Sequence, residues 1–158
     1  MILRRVALPS TAAWQARLDE LGADLELDPK YATSTHSGFW PVRLGDGRSG
    51  FEFYLHDGID PAVGPAPGPA FDVTASFVTH SDLTELRVSM LAAAALSSVS
   101  DGVAFDPQAR ERLTPESLLA EAAALGETEP APPMGSVTDD ASPRSRWWTR
   151  RGRPPKRG

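Results

Sequence analysis

Three histidines, His36, His56 and His80, are the side chains here best suited to moving a proton or holding a metal near neutral pH. His56 precedes Asp57, and His80 is followed by Ser81 and Asp82. If those segments met at adjoining strand ends, imidazole and carboxylate together would suit a divalent cation. No two histidines stand at the i, i+3 or i+4 spacing of a helix-borne ligand pair, and no metal is expected. Cysteine is absent, which removes disulfides, thiolate ligands and thiol nucleophiles. No Gly-x-Ser-x-Gly elbow occurs. The glycine-rich stretch Gly45–Gly50, "GDGRSG", joins two apolar runs and opens no helix, so it reads as a hairpin turn and not a phosphate cradle. Asp57 and Asp60 read as solvated loop carboxylates. No catalytic residue and no cofactor are expected.

The remaining chemistry is charge. Residues 143–158 carry Arg144, Arg146, Arg150, Arg151, Arg153, Lys156 and Arg157 and no acidic residue. Of 16 Lys and Arg in the chain, nine therefore precede this stretch, with all 21 Asp and Glu, giving 9 − 21 = −12 against +7. An acidic body repels polyanions, so contact with nucleic acid would have to come from the tail. Within that tail, Arg151-Gly152-Arg153-Pro154, flanked by Arg150, Lys156 and Arg157, resembles an AT-hook. The resemblance implies binding to AT-rich DNA. A central glycine lies on the floor of a narrow minor groove, and the flanking arginines meet its negative potential. Pro155 departs from the basic residue often found next in such motifs. Trp147 and Trp148 beside the arginines could stack on bases or dock on the acidic body.

Around these groups the sequence implies a set of positioning elements. "ILRRVAL" reads as a first strand, and Ser10 or Thr11 caps a helix whose Trp14, Leu18 and Leu21 share a face before Gly22. "ADLELD" alternates, with Ala23, Leu25 and Leu27 inward. The hairpin "FWPVRL-GDG-RSGFEFYLHD" sets Trp40, Val42 and Leu44 on one face, opposite Phe51, Phe53 and Leu55. Pro41 cannot donate to a ladder, which places its strand at an edge or starts it late. "FDVTASFVTH" alternates through Phe71, Val73, Ala75 and Phe77. The segment Asp82–Ser100 is the longest helix, capped by Ser81 or Asp82 with Glu85 in the first turn. Its apolar second half implies burial on two sides. "GVAF" is a short strand, and a last helix runs from its Thr114 cap and Pro115 to a stop at Gly126.

The expected order is β-α-β-β-β-β-α-β-α. This implies an α+β fold, ferredoxin-like or related, with a mainly antiparallel sheet and helices on one face. The α+β domain is assigned to 1–126, an acidic Pro-rich disordered linker to 127–142, and the basic tail to 143–158. With 158 residues, 41% of them apolar, one packed core is expected. The longest apolar run, "VSMLAAAAL", is too short to span a membrane, and a cytoplasmic location without membrane partners is expected. Phe39 and Trp40, with Tyr54 on the facing strand, are expected to form an aromatic partner surface.

"SGFEFYL" and "LAAAALSSVSDGVAFDPQ" together resemble a group of uncharacterised bacterial proteins of similar length. The matching residues are Gly50, Phe51, Glu52 and Tyr54, then Gly102, Val103, Asp106, Pro107 and Gln108, within residues 38–110. Such proteins look similar to single-domain immunity or accessory proteins of bacterial toxin systems. The resemblance implies a non-catalytic domain that covers a protein partner, a basic toxin suiting the acidic body. The alternative is a DNA-associated protein that uses the terminal hook.

Overall fold

The computed structural model describes residues 1–61, 68–80 and 82–128. A five-stranded antiparallel sheet is built from β1 (Ile2–Leu3), β2 (Leu25–Leu27), β3 (Gly38–Leu44), β4 (Gly47–Asp57) and β5 (Val73–Val78). Its spatial order is β1-β5-β4-β3-β2, a meander with the N-terminal strand added beside β5. Helices α1 (Thr11–Glu20) and α2 (Leu83–Ser100) cover one face. A third helix, α3 (Pro115–Thr128), packs on α2 as an outer layer. The fold is α+β, as the element order implies. Among the described residues no helix is long and apolar enough to cross a membrane.

The β3–β4 hairpin sets the register for the sheet. Leu44 pairs with Gly47 across a two-residue turn, and Gly45 takes a φ of +55° that most side chains resist. From that closing pair the alternation brings Trp40 opposite Phe51 and Gly38 opposite Phe53, all toward the helices. Pro41 lies one residue beyond the β2 ladder, which ends where Leu27 meets Val42. In that half β3 has no outer strand among the described residues, so the missing N–H costs nothing there. The exposed edge of β2 is closed differently. Gln15 of α1 donates from Nε2 to the Leu25 carbonyl at 2.9 Å and accepts the Leu27 N–H on Oε1 at 2.8 Å. One amide side chain thus stands in for a sixth strand.

Trp14 is the centre of the core. It is fully buried, donates from Nε1 to the Ala92 carbonyl at 2.9 Å, and meets Trp40 edge-on at 5.3 Å. Phe53 and Phe77 lie 5.8 Å and 6.2 Å from the same ring. The alanines 92–95 of α2 are buried because small side chains let this helix approach both the sheet and its neighbouring helices. Ser10 caps α1, accepting the Ala13 N–H at 3.2 Å. Asp82 caps α2, accepting the N–H groups of Thr84 and Glu85, and those bonds, Glu85's first, hold its carboxyl below the usual range. Glu85 reaches back past the cap to the His80 N–H at 2.9 Å.

Several local expectations are corrected. "ILRRVAL" is a strand only at Ile2–Leu3, and Arg5–Ala7 form a 3₁₀ turn. The Arg5 N–H turns aside to Asp72 Oδ1 at 2.7 Å, while the guanidinium groups of Arg4 and Arg5 pair with Asp101 and Asp57. Met1 is buried at this corner, where desolvation lowers its α-amine to about 6 against the opposing pull of Asp60. The strand after α2 is Ala104–Asp106 (β6), and it pairs with an unforeseen β7 (Glu111–Leu113) in a separate two-stranded sheet. Asp106 organises the turn between them by accepting the N–H groups of Gln108 and Ala109. Gly126 does not stop α3, which runs on to Thr128. A Cβ at Gly126 would come within 2.8 Å of the Arg87 guanidinium carbon, so the missing side chain leaves room for the end of Arg87. Glu127 and Thr128 are therefore helical, and residues 129–158 lie outside the described residues.

Candidate partner-binding surface

Among the described residues no helix packs on the other face of the sheet, and the pleat decides what stands on it. Residues one apart in a strand point to opposite faces. Phe39 and Trp40 therefore separate: Trp40 is fully buried, whereas Phe39 is 52% exposed. The expectation that Trp40 joins an exposed aromatic surface is corrected by that alternation.

Phe39 stands opposite Glu52, and Glu52 stands opposite Val78 of β5, which is 39% exposed. This row crosses three strands. Behind Phe39 lies Gly50, where a Cβ would fall 2.2 Å from the Phe39 ring. The missing side chain lets the ring lie flat on the backbone of β4, so Phe39 is seated and not merely projecting. Tyr54, two residues along β4, is half-buried and donates from its hydroxyl to Glu52 Oε2 at 2.6 Å. His80 Nε2 meets the other carboxylate oxygen, Oε1, at 3.2 Å. Tyr54 and then His80 hold the Glu52 carboxyl below its ordinary range, and the same bond to Glu52 raises the Tyr54 phenol. A phenol so engaged is a hydrogen-bond donor already spent, which fits a fixed surface better than a proton-transfer pair.

The other sequence candidates disperse. His56 stands opposite Thr74, at the far end of β4 from the Glu52–His80 contact. His36 is packed 5.0 Å from the Trp40 ring, with Nε2 beside the carbonyls of Gly38 and Phe39. Among the described residues no three His, Cys, Asp or Glu could hold a metal together. Asp57 pairs with Arg5, while the Asp60 N–H donates to Thr74 Oγ1 at 3.0 Å. "GDGRSG" forms the hairpin turn and the start of β4, with Gly45 N–H donating to the Asp24 carbonyl at 3.1 Å. The tail residues Arg150, Arg151, Gly152, Arg153, Pro154, Lys156 and Arg157 lie outside the described residues.

Sequence reading missed Val78 and the role of Gly50. Both had a signal: Val78 continues the outward register of β5, and a glycine within a strand marks a close approach. Comparison with family models, with curated proteins and with solved structures finds no match, so the surface rests on its own geometry.

Proposed function

We propose that this domain is a non-catalytic binding module whose uncovered sheet face takes a protein partner. The observation that carries the reading is Phe39, half-exposed and seated on Gly50, in a row with Glu52 and Val78 on a face no helix covers. An aromatic ring held rigid in the free protein loses little entropy on binding, which is the character of an interface anchor. Glu52, Tyr54 and His80 supply a fixed polar margin beside it. The charge of −12 before residue 143 favours a basic partner through long-range steering, in keeping with a toxin-neutralising or accessory role. Hydroxyl-radical footprinting tests the surface once a basic partner co-purifies or is encoded alongside. Oxidation of Phe39 and Tyr54 falls in the complex. Unchanged oxidation of both in a saturated complex rules this face out.

A second reading has its own observation, the Arg151-Gly152-Arg153-Pro154 core within a tail of +7. On this reading the chain binds AT-rich DNA through the minor groove. The full chain then prefers AT-rich over GC-rich duplexes, loses that preference with Arg153→Ala, and weakens with log salt at about 0.9 per phosphate neutralised. Binding without base preference would reduce the tail to nonspecific charge.

A further inference from the structure

At the β2 margin of the sheet, starting beside Phe39 where Pro41 pairs with Gly50, two hollows lie side by side. One, of about 410 Å3, is bounded by Asp19, Asp24 and Glu26 together with Gln15. The other, of about 360 Å3, has Pro29 and Pro41 as its open apolar surface over the backbone of the buried Leu27 and Val42, with Asp28, Arg48 and Ser49 at its rim. Glu26 and Arg43 border both, and their ion pair at 3.5 Å forms the wall between them. The margin therefore offers a carboxylate-lined hollow next to one walled by two prolines and two guanidinium groups. A ligand that matches both needs a cation and a flat apolar group a few residues apart.

The chain carries such a segment. Its tail sets Trp147 and Trp148 between Arg146 and Arg150, with Arg151 and Arg153 following. We propose that this tail, Arg144–Arg157, is the occupant of the groove. An indole fills the second hollow, flanked by Pro29 and Pro41 and open to stacking by the Arg43 and Arg48 guanidiniums. The tail arginines meet Asp19, Asp24 and Glu26 next door.

The reach is sufficient. From Thr128, the end of α3, to Trp147 is 19 residues, or about 60 Å of extended chain. A domain of this size has a radius of gyration of about 14 Å, so the tail can pass around it. A tether of this kind holds the tail near its site at roughly millimolar effective concentration, enough for weak contacts to be occupied. The consequence is regulatory: while docked, the basic tail is withheld from polyanions, and DNA or salt must compete with the body for it.

The absence of cysteine gives a clean test in the full chain. Ser145→Cys creates a unique attachment point for a nitroxide spin label. At low salt the label is expected to broaden the amide signals of Leu25–Leu27, Arg43 and Ser49. The broadening should be independent of protein concentration and lost at high salt. Reversal of Arg146, Arg150 and Arg151 to Glu, which leaves the body untouched, removes it, and so does Asp24→Lys with Glu26→Lys. Val78→Ser, across β4 from the groove, leaves it intact, which separates this inference from the partner reading. No broadening, or broadening centred on another surface, overturns the proposal. Broadening that grows with concentration also overturns it, because the contact would then lie between copies of the chain.

Discussion

The two faces of the sheet hold similar side chains under opposite conditions. The inner face joins Trp14, Trp40, Phe51, Phe53 and Phe77 in one aromatic cluster of the core, with the first four fully or nearly fully buried. The outer face holds Phe39, Val78 and Tyr54, with no helix above them among the described residues. Because successive residues alternate, the neighbours Phe39 and Trp40 belong to different parts of the physics: one to what the surface can bind, the other to whether the chain folds. Aromatic content by itself is therefore a poor guide to function in this molecule. Position in the pleat decides it.

The largest way to break this contrast acts on the inner face. Trp14→Ala removes the ring that Trp40, Phe51, Phe53 and Phe77 all touch, and with it the second hydrogen bond to the Ala92 carbonyl. A loss of about 3–5 kcal/mol is expected in urea unfolding, enough to unfold many domains of this size. Retention of near-wild-type stability would mean that the cluster is not the core.

Gln15→Ala acts at the margin between the faces. It frees the Leu25 carbonyl and the Leu27 N–H, each bonded to the Gln15 amide. The expected cost is about 1–3 kcal/mol, with concentration-dependent association by light scattering as the β2 edge becomes available. If the variant stays monomeric and fully stable, water satisfies that edge and the amide is incidental.

The smallest effect sharpens the outer face. Tyr54→Phe removes the hydroxyl that Glu52 accepts, the larger cause of its lowered pKa. The Glu52 carboxyl should then titrate higher in the variant, read by NMR. The sign follows from the lowered folded value. The Glu52 contacts contribute fully above the ordinary carboxylate range and are lost as pH falls through the depressed pKa. An unchanged Glu52 midpoint would show that the hydroxyl bond does not persist in solution.

The hairpin and the α2 and α3 helices were readable because their patterns are long and consistent. Alternation over Trp40–Leu44 and Phe51–Leu55 leaves no second register with an apolar inner face. What sequence could not supply came from distant partners. The early end of β1 depends on Asp57, Asp72 and Asp101, far along the chain. The strand β7 is three polar or half-buried residues held mostly by backbone pairing and the Asp106 turn. At Gly126 the same residue type that ends helices instead makes room for Arg87, which no local rule distinguishes. The candidate surface was half legible: Phe39 and Tyr54 could be named, but Trp40 was set beside Phe39 against the alternation that separates them.

The central claim is that the outer face binds and the inner face folds. Phe39→Asp, made in the full chain, tests it by measuring thermal unfolding and partner affinity on the same sample. Because Phe39 is half-exposed but rests on Gly50 opposite Glu52, stability should fall by about 1–2 kcal/mol, well short of the loss for a core aromatic. Affinity should fall by roughly two orders of magnitude or more, as for loss of an interface anchor. A stable variant that binds its partner as tightly as the wild type would contradict the account.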